Sequence, residues 1–171
     1  MQDHIVYLAN SSGLKVGITR ATQVPTRWID QGATQALPII RVRNRFQSGV
    51  LEVLFKQHVS DKTNWRDMLK GVATPLDLNV KATEILKQFG SEVDEIKERY
   101  NPFGVSILNG IEMVDISYPV TRYPDKITSY NFDKGKIIED KLLGIKGQYL
   151  IFEGGVINLR KFSGYEVELH H

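Results

Sequence analysis

The sequence predicts an α+β protein: a small antiparallel sheet with helices, followed by a helical segment and then a second small antiparallel sheet or barrel. Two observations lead to this class. The first half of the chain alternates short β-branched and aromatic runs with helical patterns. From about residue 105 onwards, short runs with a two-residue alternation are separated by glycine-containing turns, as is typical of antiparallel strands.

Composition excludes several classes of site. Cysteine is absent from the 171 residues, which excludes disulfides, thiolate zinc sites and cysteine nucleophiles. His4 and His58 lack the spacing of a metal motif, and the terminal His170 and His171 resemble the remnant of an affinity tag. The chain has neither an apolar run long enough to cross a bilayer nor a basic start followed by an apolar signal core. We therefore expect a cytoplasmic protein without a membrane partner.

Charge is distributed unevenly along the chain. Residues 1–66 carry nine Lys and Arg against four Asp and Glu, whereas residues 67–171 carry thirteen against sixteen. A basic front part favours a surface that faces a polyanion such as nucleic acid. The alternative is that this surplus lies within the ordinary scatter of small domains.

Residues 4–9 and 14–19 are predicted strands, joined by the turn-forming sequence Asn-Ser-Ser-Gly. A register that pairs Tyr7 with Gly17 places Tyr7, Lys15 and Gly17 on one face of this hairpin and its aliphatic side chains on the other. Gly17 would leave open space beside Tyr7, as a closely approaching ligand would need.

Residues 22–32 predict a two-turn helix. Pro25 suits its first turn, where no amide hydrogen is required, and Gly32 suits a left-handed stop. Arg27 and Gln31 are four residues apart and therefore share one face of this helix.

Residues 37–46 predict a third strand, whose alternation places Arg41, Arg43 and Arg45 on one face and Phe46 on the apolar face. Three arginines along a strand can bind successive phosphate groups. They can equally form a solvated sheet face, and the sequence leaves both interpretations open.

Ser48 can cap a helix over residues 49–60, in which Glu52 lies among apolar positions. A carboxylate there needs a partner or a metal ion if it is buried, and neither if it points outward. A shorter helix follows, capped by Thr63 or Asn64 and stopped by Gly71.

Two further helices are predicted over residues 77–89 and 91–100, separated by Gly90. A turn at residues 101–104 then precedes the β-rich part. We place a domain boundary there, which gives predicted domains at 1–101 and 102–169. The segments QYLIFE, VINLRKF and YEVEL are the clearest predicted strands of the second domain.

The first 65 residues or so resemble the GIY-YIG nuclease superfamily. The VYL sequence around Tyr7 stands where Gly-Ile-Tyr usually stands, and KVG at Lys15 to Gly17 stands for Tyr-Ile-Gly. Arg27 falls where that superfamily has an arginine on its first helix, and Glu52 where it has a metal-binding glutamate. The chain departs from the pattern where lysine replaces the second motif tyrosine.

Two further positions bear on this resemblance. Gln31 lies where some members have histidine, and a glutamine cannot act as a general base near neutral pH. Asn64 stands nearest to the superfamily's final asparagine, at a looser spacing.

A closer resemblance covers nearly the whole chain. The blocks KVGITR, RWIDQGA, DKTNWR and GIKGQYLIF are similar to a bacterial family of domains of unknown function. Members of that family commonly carry a cysteine-rich, zinc-binding segment ahead of these blocks. This chain lacks that segment, which leaves open a truncated form or a naturally short relative.

The resemblance implies a site that hydrolyses phosphodiesters. Glu52 would bind Mg²⁺ or Mn²⁺, which keeps several waters and takes further ligands from the substrate. Arg27 would hold phosphoryl oxygens, Tyr7 would orient or deprotonate water, and Lys15 would lower the tyrosine pKa or contact the phosphate. Substrate would also be bound by a second group of residues: Gly17, Gln31, Arg41, Arg43 and Arg45.

Three functions remain open from the sequence. The first is a metal-dependent endonuclease acting on DNA or RNA. The second is a non-catalytic nucleic-acid-binding module that keeps the scaffold and the basic face. The third is a protein-interaction scaffold in which the C-terminal sheet binds the partner and the pocket is vestigial. The sequence does not indicate an oligomeric state.

Overall fold

The computed structural model describes residues 2–59, 62–100, 104–135 and 137–170, and its first element is the predicted hairpin. Strands β1 (His4–Asn10) and β2 (Leu14–Arg20) are antiparallel, and Tyr7 pairs with Gly17 as predicted. All seven residues of β1 are buried, so both of its faces meet apolar layers. The hairpin is therefore a central part of the core.

The first sheet has five strands. Strand β3 (Gln35–Val42) pairs antiparallel with β1, and β4 (Val105–Ile107) and β5 (Val114–Asp115) both pair with β3. The order is β2-β1-β3-β4, with β5 also beside β3, so β2 forms one edge. An antiparallel sheet with helices confirms the predicted α+β class.

The predicted helix over residues 22–32 is shorter than expected. A short 3-10 helix (Ala21–Gln23) comes first, and helix α1 (Thr26–Asp30) follows Pro25. Val24 between them is extended, because the residue before a proline is disfavoured in the helical region. Gly32 has a φ of 65°, which confirms the left-handed stop.

The predicted end of the third strand and start of the next helix were wrong. Strand β3 ends at Val42, and helix α2 (Arg45–Phe55) is capped by Asn44, whose side chain accepts from the amide of Gln47. Gln47 in turn accepts from the amide of Arg43 at 3.1 Å. This reciprocal cap resembles a capping box, and the helix begins four residues before its predicted start at residue 49.

The earlier helix start changes the predicted arginine stripe. Arg41 is on β3, Arg43 is in the bend after it, and Arg45 is the first residue of α2, so the three do not share a strand face. Phe46 is 63 % exposed on the helix instead of facing the core. The predicted helix end at Ser60 lies outside the described residues, and α2 itself ends at Phe55.

Three more helices follow as predicted. Helix α3 (Trp65–Lys70) is capped by Asn64, and Gly71 follows its last residue. Helix α4 (Leu78–Gln88) is capped by Asp77, and α5 (Gly90–Arg99) begins at the glycine that was expected to separate the two. Of the turn predicted at residues 101–104, residues 101–103 lie outside the described part of the chain.

The second sheet has three strands and is open rather than a barrel. Its strands are β6 (Leu142–Lys146), β7 (Tyr149–Phe152) and β8 (Val156–Asn158), in that order, and a 3-10 helix (Leu159–Phe162) follows. The YEVEL segment, a predicted strand, is irregular. Strands β4 and β5 lie after the predicted domain boundary but belong to the first sheet, so that sheet includes residues from both predicted domains.

The core has one apolar layer on each face of the first sheet. Helices α2, α4 and α5 cover the face that carries Val6 and Leu8. Trp28 of α1 covers the opposite face, which carries Tyr7. A third cluster packs α3 against the second sheet. Within the described residues, no helix combines the length and apolar character that crossing a bilayer requires.

Candidate functional site

The ring of Tyr7 lies across Gly17 on the edge strand β2. A Cβ atom at position 17 would be 2.6 Å from both Cζ and Oη of Tyr7, so only glycine leaves room for the ring. The predicted open space beside Tyr7 is therefore filled by Tyr7 itself, and the expectation that a ligand would use it was wrong. Because the ring extends over β2, its hydroxyl is carried towards the edge of the sheet.

Helix α1 supplies two partners to this hydroxyl. The Tyr7 hydroxyl donates to Oε1 of Gln31 at 3.0 Å, and the guanidinium of Arg27 also forms a hydrogen bond with it. Trp28 packs edge-on against the Tyr7 ring with a centroid distance of 5.9 Å. The four-residue spacing predicted to place Arg27 and Gln31 on one face therefore brings both to the tyrosine.

Burial controls the ionisation of Tyr7. Burial raises the pKa of the Tyr7 hydroxyl, while the charge of Arg27 and hydrogen bonds with Gln31 and Arg27 lower it only in part. The hydroxyl therefore stays protonated at neutral pH. Its one hydrogen is donated to Gln31 and the side chain is fully buried, which favours a positioning role over proton abstraction.

Glu52 of helix α2 acts on the same hydroxyl through its charge. This helix packs against β2, and the negative charge of Glu52 raises the pKa of Tyr7 further. The Glu52 side chain is 20 % exposed and pairs with Lys56 at 3.8 Å. Tyr7 and Arg27 are therefore in contact, and the charge of Glu52 reaches the same hydroxyl.

Lys15 lies on the same hairpin face as Tyr7 and Gly17, but it is only 4 % exposed. Its Nζ donates to Oγ1 of Thr63 at 2.6 Å, in the loop that precedes α3. Lys15 therefore connects the hairpin to this loop. A direct contact with phosphate stays a prediction.

Four exposed arginines lie at one end of the first sheet: Arg20, Arg41, Arg43 and Arg45. Arg20, the last residue of β2, pairs with His4 of β1, and His4 also pairs with Val42, the last residue of β3. The ends of β2 and β3 therefore lie on either side of the start of β1. Arg41 pairs with Ile5 and so lies on the sheet face that carries Tyr7. We call these four residues the basic end. Arg20 was not among the predicted site residues, although its position at the end of a strand was visible in the sequence.

An aromatic pair, with Phe46 exposed and Tyr100 half-buried, adjoins the basic end. The ring of Phe46 lies edge-on to Tyr100 at a centroid distance of 5.6 Å, and the guanidinium of Arg99 lies 5.5 Å from the centre of the Tyr100 ring. Sequence reasoning assigned Phe46 to the core because it extended β3 too far. Recognising the Asn44 cap would have placed it on an exposed helix.

The residues at the β2 edge fit a weakly held divalent cation. Glu52 supplies one carboxylate with partial exposure, and Mg²⁺ is commonly bound through one or two carboxylates while keeping several waters. Within the described ranges, no group of three or more His, Cys, Asp or Glu is placed to hold a metal ion. Any remaining ligands would therefore be water and substrate oxygens.

A buried lysine that sequence reasoning missed lies at the end of the first strand of the second sheet. Lys146 of β6 is completely buried, and its Nζ donates to the carbonyl of Gly71 at 2.7 Å. The same Nζ lies 5.0 Å and 5.6 Å from the ring centres of Tyr123 and Tyr118. Burial lowers the pKa of Lys146 to about 8. The partners are far apart in the sequence, so no local pattern indicates this arrangement.

Tyr118 also contacts the helix that carries the site. Its hydroxyl lies 3.1 Å and 2.9 Å from the carbonyl oxygens of Ile29 and Ala33 and shares its one hydrogen between them. These carbonyls lie on either side of Gln31, so Tyr118 holds the end of α1 in place.

Comparison with known proteins gives one family. A family model described as a protein of unknown function, DUF2797, matches residues 1–167. No curated protein and no solved structure matches the chain.

Proposed function

The chain belongs to the DUF2797 family, and we propose that it binds nucleic acid and hydrolyses a phosphodiester at the β2 edge, with Mg²⁺ or Mn²⁺ bound at Glu52. One observation carries this proposal. Glu52 comes from a helix well separated in sequence from α1, yet its charge acts on the hydroxyl that Arg27 and Gln31 bind.

The resemblance to the GIY-YIG superfamily supports the same reading. A tyrosine on the first strand, a glycine on the second, an arginine on the first helix and a glutamate on a later helix occur in that order. Arg27 contacts the Tyr7 hydroxyl, the Tyr7 ring lies over Gly17, and the charge of Glu52 reaches the same hydroxyl. Order and convergence together are a stronger argument than any of the four residues alone.

Each residue has a distinct role in this proposal. Arg27 binds non-bridging phosphoryl oxygens and offsets the charge that develops on them. Tyr7, which is fully buried and protonated at neutral pH, donates its hydroxyl hydrogen to Gln31 and so positions Gln31 and Arg27 at the edge of the sheet. Gln31 positions the Tyr7 hydroxyl.

Glu52 would hold the divalent cation, which neutralises phosphoryl charge and lowers the pKa of bound water. Its bond to Lys56 is long, at 3.8 Å, and both side chains are partly exposed. Such a pair is worth about 0–1 kcal/mol, so binding a cation at Glu52 costs little.

Nucleic acid is the substrate that the surface favours. The basic end presents exposed guanidinium groups, which can contact phosphates. The exposed Phe46 ring, next to Tyr100 and Arg99, offers a surface on which an unpaired base can stack. Charge and aromatic exposure therefore coincide at one end of the sheet.

The proposal is tested by incubating the protein with single- and double-stranded DNA and RNA, with Mg²⁺, Mn²⁺ or EDTA. We expect metal-dependent cleavage that falls by about 100-fold or more in Glu52→Gln, because an electrostatic group acting in the transition state is lost. Glu84→Gln is the matched control, since Glu84 is an exposed carboxylate on α4 that is also paired with a lysine. Cleavage that survives Glu52→Gln, or absence of cleavage on every substrate, would refute the proposed reaction.

A non-catalytic nucleic-acid-binding module is the second candidate, and two observations favour it. Lys15 is buried and donates to Thr63, and the Tyr7 hydroxyl is bound to an amide that cannot act as a base. This candidate predicts the same binding of nucleic acid in the native protein and in Glu52→Gln, with no cleavage by either. Measured cleavage would exclude it.

A further inference from the structure

A cleft lies between the end of helix α1 and the β6–β7 hairpin. Its volume is about 390 Å³, within the range of small-molecule sites in proteins. It is lined by residues from α1, the hairpin and the following 3-10 helix: Asp30, Ile145, Gly147, Gln148, Tyr149, Leu150, Leu159 and Arg160.

We propose that this cleft holds a guanine base of the nucleic acid whose phosphate is bound by Arg27. The inference rests on the proposed function, because it assigns a base-reading position to the same substrate. It adds a specificity that the residues at the β2 edge do not supply, since phosphate contacts carry no sequence information.

The walls of the cleft suit an unpaired base. Ile145 and Leu159 expose 44 % and 45 % of their surface, an apolar lining that is otherwise in contact with water. The Tyr149 ring is held in place by stacking on Trp65, with 4° between the planes, and Arg66 covers the Trp65 ring. Apolar and aromatic walls of this kind are how proteins receive a base that has left the stack.

The polar groups of the cleft favour guanine. Asp30 and Arg160 come from separate elements, and their charged groups are 3.9 Å apart. Guanine offers an arginine two adjacent acceptors, O6 and N7, where adenine offers only N7, and its exocyclic amine is a donor for a carboxylate. Arg160 can therefore donate to the two acceptors, and Asp30 can accept from the exocyclic amine. Both side chains are exposed, so their own ion pair is weak and can be exchanged for contacts with a base.

The position of the cleft connects it to the phosphate site. Asp30 follows Arg27 by three residues on α1, and side chains at that spacing are neighbours on a helix. A nucleotide with its phosphate on Arg27 thus has its base within reach of Asp30. Gly147 closes the cleft against α1, because its φ is 59° and a Cβ there would be 2.9 Å from the carbonyl oxygen of Asp30.

The test is a titration of the native protein with the 5′-monophosphates of guanosine, adenosine, cytidine and uridine, followed by Trp fluorescence and calorimetry. We expect GMP to bind most tightly, and Asp30→Asn and Arg160→Gln each to weaken GMP about tenfold while leaving UMP unchanged. Asp67→Asn is the control, since Asp67 is an exposed, lysine-paired carboxylate on α3. Equal binding of all four nucleotides, or unchanged GMP binding in both cleft variants, would overturn the inference.

The same titration on Glu52→Gln, compared with the cleavage assay, separates the two proposals. Cleavage that depends on Glu52 but shows no preference for guanine would overturn the cleft assignment and leave the phosphodiesterase proposal standing. Binding of GMP that depends on Asp30, without cleavage of any substrate, would support the cleft and overturn the hydrolytic reaction. Because Asp30 and Arg160 are exposed, neither substitution removes core packing.

Discussion

Replacing Gly17 by alanine should move Tyr7 away from its partners. The new Cβ would lie 2.6 Å from Cζ and Oη of Tyr7 and 3.0 Å from Cε2. Carbon atoms in contact are normally about 3.5–4.0 Å apart, so the ring must shift by roughly 1 Å. Tyr7 is fully buried beneath Trp28, and the ring therefore has little space into which it can move.

The cost of this substitution has two parts. Overpacking of a filled core costs about 1–3 kcal/mol. Displacing the hydroxyl from Gln31, now 3.0 Å away, adds about 1 kcal/mol for the lost hydrogen bond. We therefore expect Gly17→Ala to lower the free energy of unfolding by about 2–4 kcal/mol.

Urea denaturation followed by circular dichroism measures this effect, with Gly49→Ala as the matched control. Gly49 lies inside α2, and a Cβ there would meet nothing within 4 Å, so this variant should be more stable by about 0.5–1 kcal/mol. In a Tyr7→Leu background the Gly17→Ala cost should largely disappear, because the ring that causes it is gone. An unchanged cost in that background would refute the reasoning.

Two other predictions concern charge. Between pH 8 and 10 the folded protein releases the Lys146 proton while the unfolded chain retains it, so the free energy of unfolding should rise by about 2 kcal/mol relative to Lys146→Met. Parallel pH profiles of the two proteins in urea denaturation would contradict this. Arg43→Ala should weaken binding to nucleic acid of any sequence and reduce the slope of log K against log salt concentration by about 1. Fluorescence anisotropy at several salt concentrations measures this slope, and Lys87→Ala on α4 should leave it unchanged; an equal loss in both variants would count against the basic end.

The hairpin could be predicted from the sequence because every local signal agrees there. Strand propensity, a turn sequence and two-residue alternation lead to one register, and the Tyr7–Gly17 pair follows from it. The four-residue spacing of Arg27 and Gln31 likewise predicted that both lie on one side of α1.

The start of α2 could not be predicted by alternation alone. Arg41, Arg43 and Arg45 continue a two-residue period, but the Asn44 side chain caps a helix within that run. A cap satisfies amides that the first turn leaves without partners, and here it takes precedence over the strand pattern. The three arginines therefore do not continue along one strand, because the helix begins within their run.

Long-range contacts are the part of the site that the sequence does not show. Lys15 donates to Thr63, and Lys146 donates to Gly71, across separations of 48 and 75 residues. Such pairs depend on how the finished elements pack, and no periodicity within either segment encodes them. The role of Gly17 was misjudged for the same reason, since the direction of the Tyr7 ring is set by its neighbours on α1.

The hydrogen bonds of Tyr118 give the C-terminal part of the chain a mechanical role. Helix α1 is only five residues long, and isolated helices of that length do not persist in water. The Tyr118 hydroxyl is hydrogen-bonded to two carbonyls at the end of α1, and this brace stabilises the positions of Arg27 and Gln31. A fragment that stopped at residue 101 would keep every residue of the β2 edge and lose this brace. The hairpin and α1 therefore do not form an independent unit. A fragment used to test the site should extend past residue 118.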